Sequence, residues 1–128
     1  MEITIEIFIS GENFCPKEFN QNLPVELKGL ESPYRKLRNK EVKESGFWTT
    51  KPKSVKKGYV EDVLLDVVCL YAPYIKPLAN RDNISKYASI YGAIVQVEKV
   101  HGFFFKQKLI KVCAELGLEI VIGLHEKL

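Results

Sequence analysis

The chain has 128 residues, 46% of them hydrophobic and 27% charged, with 19 Lys and Arg against 16 Asp and Glu for a net charge of +3. That length suits a single domain over residues 1–128 with enough apolar content for a core, and no apolar run approaches the roughly 18 residues of a membrane span. The three cysteines, Cys15, Cys69 and Cys113, are odd in number, widely spaced and without a C-x-x-C pair, which argues against a disulfide framework and predicts reduced thiols in a cytoplasmic protein.

The first residues alternate. Ile3, Ile5, Ile7 and Ile9 point one way and Glu2, Thr4, Glu6 and Phe8 the other, which predicts a strand with one buried face. This acidic, alternating start is unlike a cleavable signal, which would be basic and then uniformly apolar. Ser10-Gly11-Glu12-Asn13 ends the strand as a turn. Pro16 suits the first position of a short helix to about Asn22, with Phe19 and Leu23 as core contacts and Pro24 as a stop. Residues 24–33, with Pro24, Gly29 and Pro33, read as a loop. Two polar strands suited to a sheet edge follow, over about Tyr34–Asn39 and Ser45–Lys51, and Pro52 to Gly58 reads as a basic linker.

Val60, Leu64, Val67, Val68, Tyr71, Ile75 and Leu78 then recur at helical spacing, with Glu61 and Asp62 in the first turn where carboxylates favour the helix dipole. Pro73 lacks an N–H and its ring presses on the carbonyl of Cys69, so a helix from about Tyr59 to Ala72 is expected, followed by a kink or a second short turn to Ala79. Asn80-Arg81-Asp82-Asn83 is a polar turn, and a β-rich run covers Tyr87 to Lys99. A third helix carries Phe105, Leu109, Val112, Cys113 and Leu116 on one stripe, with Gly117 as its left-handed cap. Cys69 and Cys113, on apolar helical faces, are expected to be buried as small hydrophobes. Leu118, Ile120, Ile122 and Leu124 alternate as a last strand. The order β-α-β-β-α-β-α-β predicts an α+β fold: a mixed or antiparallel sheet with helices on one face, nearest to a ferredoxin-like sandwich with extra elements.

Charge is distributed unevenly along this layout. Residues 35–57 hold Arg35, Lys36, Arg38, Lys40, Lys43, Lys51, Lys53, Lys56 and Lys57 against Glu41 and Glu44, a local balance of +7 that leaves −4 on the rest. A basic arm on an acidic body is either a solvated hairpin with charged edges or a surface for an anionic partner, be it acidic protein, nucleic acid or a phosphate-bearing ligand. The candidate binding residues are Tyr34, Arg35, Lys36, Arg38, Lys40 and Trp48, the cations for steering and the aromatics as anchors. For Trp48 the competing reading is a plug in the core. Nucleic-acid binding finds no recognition motif to accompany the arm. The outward side of the first strand, Glu2, Thr4, Glu6 and Phe8, joined by Glu119, Val121 and His125, forms a second candidate surface for a partner or another subunit.

Catalytic chemistry has little to stand on. His101 and His125 have no Cys, His or carboxylate partner at ligand spacing, so no metal is expected. No G-x-S-x-G elbow, P-loop or G-x-G-x-x-G is present, and no cofactor is implied. Asp62 and Asp66, at i and i+4, form the one acidic pair on a helix face, a spacing that could bind a cation but is more often the solvated side of a helix. The composition points to a binding protein, without membrane contact, rather than an enzyme.

Ile9-Ser10-Gly11-Glu12 followed by Pro16 and Phe19, then Pro33, Arg35-Lys36, Gly46-Phe47-Trp48 and Ala114-Glu115-Leu116-Gly117-Leu118-Glu119-Ile120, resembles the small bacterial domain-of-unknown-function family 4279. The likeness spans most of the chain, although Ile122-Gly123-Leu124-His125 stands where that family often closes on an acidic-aromatic pair. The resemblance implies a cytoplasmic bacterial α+β domain, some of whose relatives look like immunity or antitoxin proteins that neutralise a toxin by direct binding. It carries over no catalytic residue.

Overall fold

The computed structural model describes residues 2–32, 35–37, 40–42, 46–55, 59–94 and 105–126, with the backbone alone at 2, 35–37, 40–42, 93–94 and 124–126. The fold is α+β. In chain order the elements are β1 (Glu2–Gly11), α1 (Pro16–Gln21), β2 (Leu30–Ser32), β3 (Arg35–Leu37), β4 (Lys40–Val42), β5 (Phe47–Thr49), β6 (Lys53–Val55), α2 (Val60–Ile75), β7 (Ile84–Ile94), α3 (Gln107–Leu116) and β8 (Glu119–Glu126). The main sheet runs β2-β5-β1-β7-β8, with β6 also paired to β1, and β3 and β4 pair only with each other. All pairs are antiparallel except β7 with β8, which α3 connects in parallel.

Strict alternation along β1 decides the two faces. Ile3, Ile5, Ile7 and Ile9 are almost wholly buried, and α2 and α3 add Leu64, Val68, Tyr71, Ile75, Leu109, Cys113 and Leu116 to the same core. The predicted stripe of α2 is therefore the one that packs. Gly117 takes φ +68° after α3. Its N–H donates to the carbonyl of Ala114 (3.2 Å) and that of Leu118 to Cys113 (2.8 Å), the Schellman pattern that satisfies carbonyls at a helix end.

Several expectations are corrected. Residues 24–33 are not all loop, since a 3-10 turn at Val25–Leu27 leads into β2. The strand predicted over Ser45–Lys51 is interior, between β2 and β1, because its paired residues Phe47, Trp48 and Thr49 carry no charge. The basic linker begins as β6. Between β5 and β6 the pairing with β1 slips by one residue, so Thr50, Lys51 and Pro52 face Glu6 and Ile7 in a β-bulge. Thr50 closes it: its N–H donates to the Ile7 carbonyl (3.0 Å) and its Oγ1 accepts from the Ile7 N–H (2.9 Å). Pro52, with no N–H to pair, is tolerated at that irregularity.

The helix does not end at Pro73. It runs to Ile75, and the Lys76 N–H still reaches the Ala72 carbonyl; only at Pro77, which again lacks a donor, does the chain tighten into the 3-10 turn Lys76–Leu78. β7 starts at Ile84, three residues earlier than predicted, because Ile84 and Lys86 are register partners of Gly11 and Ile9. Residues 95–99 of that predicted strand lie outside the described residues. Cys113 is buried as expected, but Cys69 is exposed: it points away from the stripe through Leu64 and Val68, beside exposed Leu70.

Candidate functional site

The three helices occupy the isoleucine face of the sheet, and no described helix lies on the other. That other face carries a stack of three aromatic rings, one from each of three adjacent strands. Phe8 of β1 is the register partner of Tyr87 on β7, and Phe47 of β5 sits opposite Ser10. The Phe8 and Tyr87 ring centroids are 4.9 Å apart at an interplanar angle of 17°, and those of Phe8 and Phe47 are 5.5 Å apart at 18°. Rings this close and this nearly parallel stack face against face. Both faces of Phe8 are thus taken by its neighbours. All three rings are half-buried, and Ser10 and Thr49 beside them are buried. Exposed Leu30 on β2 and exposed Val121 on β8 extend the apolar surface to either side.

Polar groups flank the stack unequally. Glu6, two residues before Phe8, accepts a hydrogen bond from the Tyr91 hydroxyl; burial raises its pKa, and the bond from Tyr91 opposes part of that rise. Tyr91 is raised in turn by burial and by the Glu6 carboxylate. Glu119, the register partner of Tyr87, is exposed on the same face. At the opposite end, Ser32 and Phe47 are register partners, and the chain between them is the first part of the basic arm. The face therefore carries carboxylates on β1 and β8, while the first part of the basic arm follows Ser32 of β2 and precedes Phe47 of β5 in sequence.

Of the predicted site residues, Trp48 is the one described with its side chain. Trp48 alternates with Phe47 and faces the helices, and it has no exposed surface. Its ring stands edge-on to Phe19 (4.8 Å, 74°) and Tyr71 (5.5 Å, 62°). Its Nε1–H donates to Asn20 Oδ1 at 2.9 Å, an oxygen that also accepts from the Gly29 N–H at 2.8 Å. A side chain so enclosed offers nothing to a partner, so the surface-anchor reading of Trp48 is corrected to a core one. Arg35 and Lys36 lie on β3 and Lys40 on β4, with side chains outside the description, and Tyr34 and Arg38 lie outside the described residues. Tyr87 was missed as a site residue because only the β1–β7 register brings it to Phe8. The outward parity of Phe8 was the one usable signal.

Elsewhere, Asp62 pairs with Lys106 at 3.6 Å, linking α2 to the start of α3, and Asp66 is exposed. No group of three His, Cys, Asp or Glu suited to a metal ion occurs among the described residues, nor does any helix there long and apolar enough to cross a membrane. A shallow concavity of about 470 Å³ lies between the start of α1 and the turn after α2, lined by Phe14, Cys15, Phe19, Tyr74, Pro77 and Arg81 among others. Comparison with known proteins gives no match: no family model, curated protein or solved structure is significantly similar to this chain.

Proposed function

We propose that this is a non-catalytic cytoplasmic binding protein that docks a protein partner on the helix-free face of its sheet, in the manner of a bacterial immunity or antitoxin protein holding a toxin domain. The observation that carries the reading is the Phe47–Phe8–Tyr87 stack, an apolar centre with carboxylates on one side and a basic hairpin rooted on the other. Apolar and aromatic surface ringed by charges of both signs suits a protein surface, where the charges orient the encounter and the rings supply buried area.

The alternative, a nucleic-acid or anionic-ligand module, keeps the +7 arm but has fewer places to stack a base. Trp48 is enclosed, both faces of Phe8 are occupied, and Glu6 and Glu119 lie beside the stack where phosphates would be repelled. The test is affinity capture from the native host with the wild-type protein and a Phe8→Ala/Tyr87→Ala variant, followed by reconstitution of the captured protein with each. Stoichiometric binding by the wild type and loss in a variant that keeps its fold supports the reading. Capture of nucleic acid that sheds with salt, or a partner indifferent to the double substitution, overturns it.

A further inference from the structure

The three edges of the main sheet are unequal. β2 and β6 are three residues long, and β6 is guarded by Lys51, Pro52 and Lys53, the charges and proline that keep strand edges from pairing. β8 is eight residues long, and from Ile120 to Leu124 it carries no charge and no proline. Among the described residues no strand pairs with its outer side. Ile122 is telling: it lies on the helix side of the sheet as the register partner of fully buried Ile90, yet it is 43% exposed, and Val121 on the opposite face is 41% exposed. An apolar strand exposed on both faces along its middle is a template for another strand.

We propose that β8 pairs antiparallel with β8 of a second copy of this chain about a two-fold axis through Ile122, giving one sheet continuous across both protomers. The symmetry restricts the register. Directly opposed pairs in an antiparallel ladder alternate between hydrogen-bonded and non-hydrogen-bonded kinds, so a two-fold axis must place one residue opposite its own copy. The in-line register that would overlap all eight residues has no such residue and would set Glu119 against Glu126; it is forbidden. Centring on Ile122 sets Ile122 against Ile122, Ile120 against Leu124, Val121 against Gly123, and Glu119 against His125, a carboxylate opposite an imidazole at both ends. Centring on Gly123 instead opposes Ile120 to Glu126, and centring on Val121 leaves Glu119 opposite Gly123. The strand is most self-complementary about Ile122. This pairing uses the edge of the sheet and does not depend on the aromatic stack.

Sedimentation velocity over a broad concentration range tests it. The wild-type protein is expected to show a monomer–dimer equilibrium, and Ile122→Lys, which sets two ammonium groups against each other at the axis, to weaken it about tenfold or more. Cysteine pairing reads the register independently of any effect of Lys on folding. In a Cys15→Ser/Cys69→Ser background, Ile122→Cys should crosslink to itself under oxidation. Ile120→Cys and Leu124→Cys should each fail alone and crosslink when mixed, since only opposed strand positions fall within disulfide reach. A monomer at every concentration, a dimer indifferent to Ile122→Lys, or self-crosslinking at residue 120 as strong as at 122 overturns the proposal.

Discussion

Trp48 and Asn20, 28 residues apart, are joined by a hydrogen bond of 2.9 Å from the indole Nε1–H to the amide Oδ1. The same oxygen holds the Gly29 N–H, and Gly29 has no room for a side chain, because a Cβ there would meet the Thr49 carbonyl oxygen at 2.0 Å. Asn20 therefore ties α1, the strand carrying Trp48 and the approach to β2 into one corner of the core. Tyr71 of α2 joins it from above, donating its hydroxyl to the Leu27 carbonyl at 2.8 Å.

Asn20→Ala should leave the buried indole N–H of Trp48 and the half-buried Gly29 N–H without their acceptor. With about 1–3 kcal/mol for each unsatisfied buried group, a loss near the middle of that range is expected in urea unfolding. Trp48→Phe should cost a comparable amount by removing volume as well as the donor. The double variant should lose less than the sum, because one of the two bonds is shared. Strict additivity would mean that the indole and the amide do not support each other.

Phe8→Ala removes the middle ring of the stack, and Tyr87→Ala removes an end one. Since the rings are only half-buried, each change should destabilise by about 1–2 kcal/mol, below the cost of truncating an enclosed aromatic. Phe8→Ala should be the costlier, as it breaks two ring contacts instead of one. Thermal unfolding of the two variants ranks them, and the reverse order would show that the stack is not the unit described.

The cysteines should separate by rate. Cys15 and Cys69 are exposed, while Cys113 is 2% exposed and its pKa is pushed up to about 11, chiefly by burial and secondly by the nearby Cys69. The thiolate is the reactive form, so neutral-pH alkylation of the folded protein should label two thiols quickly and the third only on unfolding. Three thiols should be titratable after denaturation without reductant. Fast labelling of Cys113 would mean that α2 and α3 part readily.

The parts of this fold that sequence periodicity reveals are the long ones. Ile3 to Ile9 and the α2 stripe are repeats of several turns or pleats, and each repeat adds to the same signal. β2 and β6 have three residues each, too few for alternation to register, and form because β5 and β1 supply the neighbouring ladder. Trp48 was ambiguous for a physical reason. Phe47 and Trp48 are adjacent aromatics that necessarily face opposite ways, and local sequence does not say which side is the core. The answer comes from Ile9, its register partner, and from distant Asn20. Likewise Phe8 pointed outward by parity alone, but its meeting with Tyr87 and Phe47 depends on pairings across 39 and more residues.

Glu6 supplies a pH dependence with a definite sign. Burial raises its folded-state pKa above the ordinary carboxylate value, with the Tyr91 hydrogen bond acting in the opposite sense. The native state therefore favours the protonated form. The associated stability is fully present below the unfolded carboxylate pKa of about 4.3 and is lost as pH rises through the folded value. Glu6→Gln keeps an acceptor for Tyr91 and cannot ionise. Its Tm relative to wild type should rise between about pH 4 and pH 7, since only the wild type loses stability on that path. A difference that stays flat or falls would mean that solvent screens Glu6 fully in the native protein.

The basic arm gives the last expectation. Arg35 falls on β3 and Lys40 on β4, its antiparallel partner, and Arg38 lies between them in sequence, so three like charges are clustered within six residues of the chain. Like charges this close are not buried together without paired anions, so reversing all three to Glu should change stability by no more than about 1 kcal/mol. If the arm steers a partner toward the aromatic stack, the same triple change should slow association, and the difference should fade as salt shortens the screening length below about 8–10 Å. Dissociation should be little altered, because the contact that holds the partner is the apolar one. Association measured by stopped flow across a salt series separates the two effects. A triple variant that binds at the wild-type rate would confine recognition to the sheet face, and one that unfolds would make the hairpin part of the fold's own support.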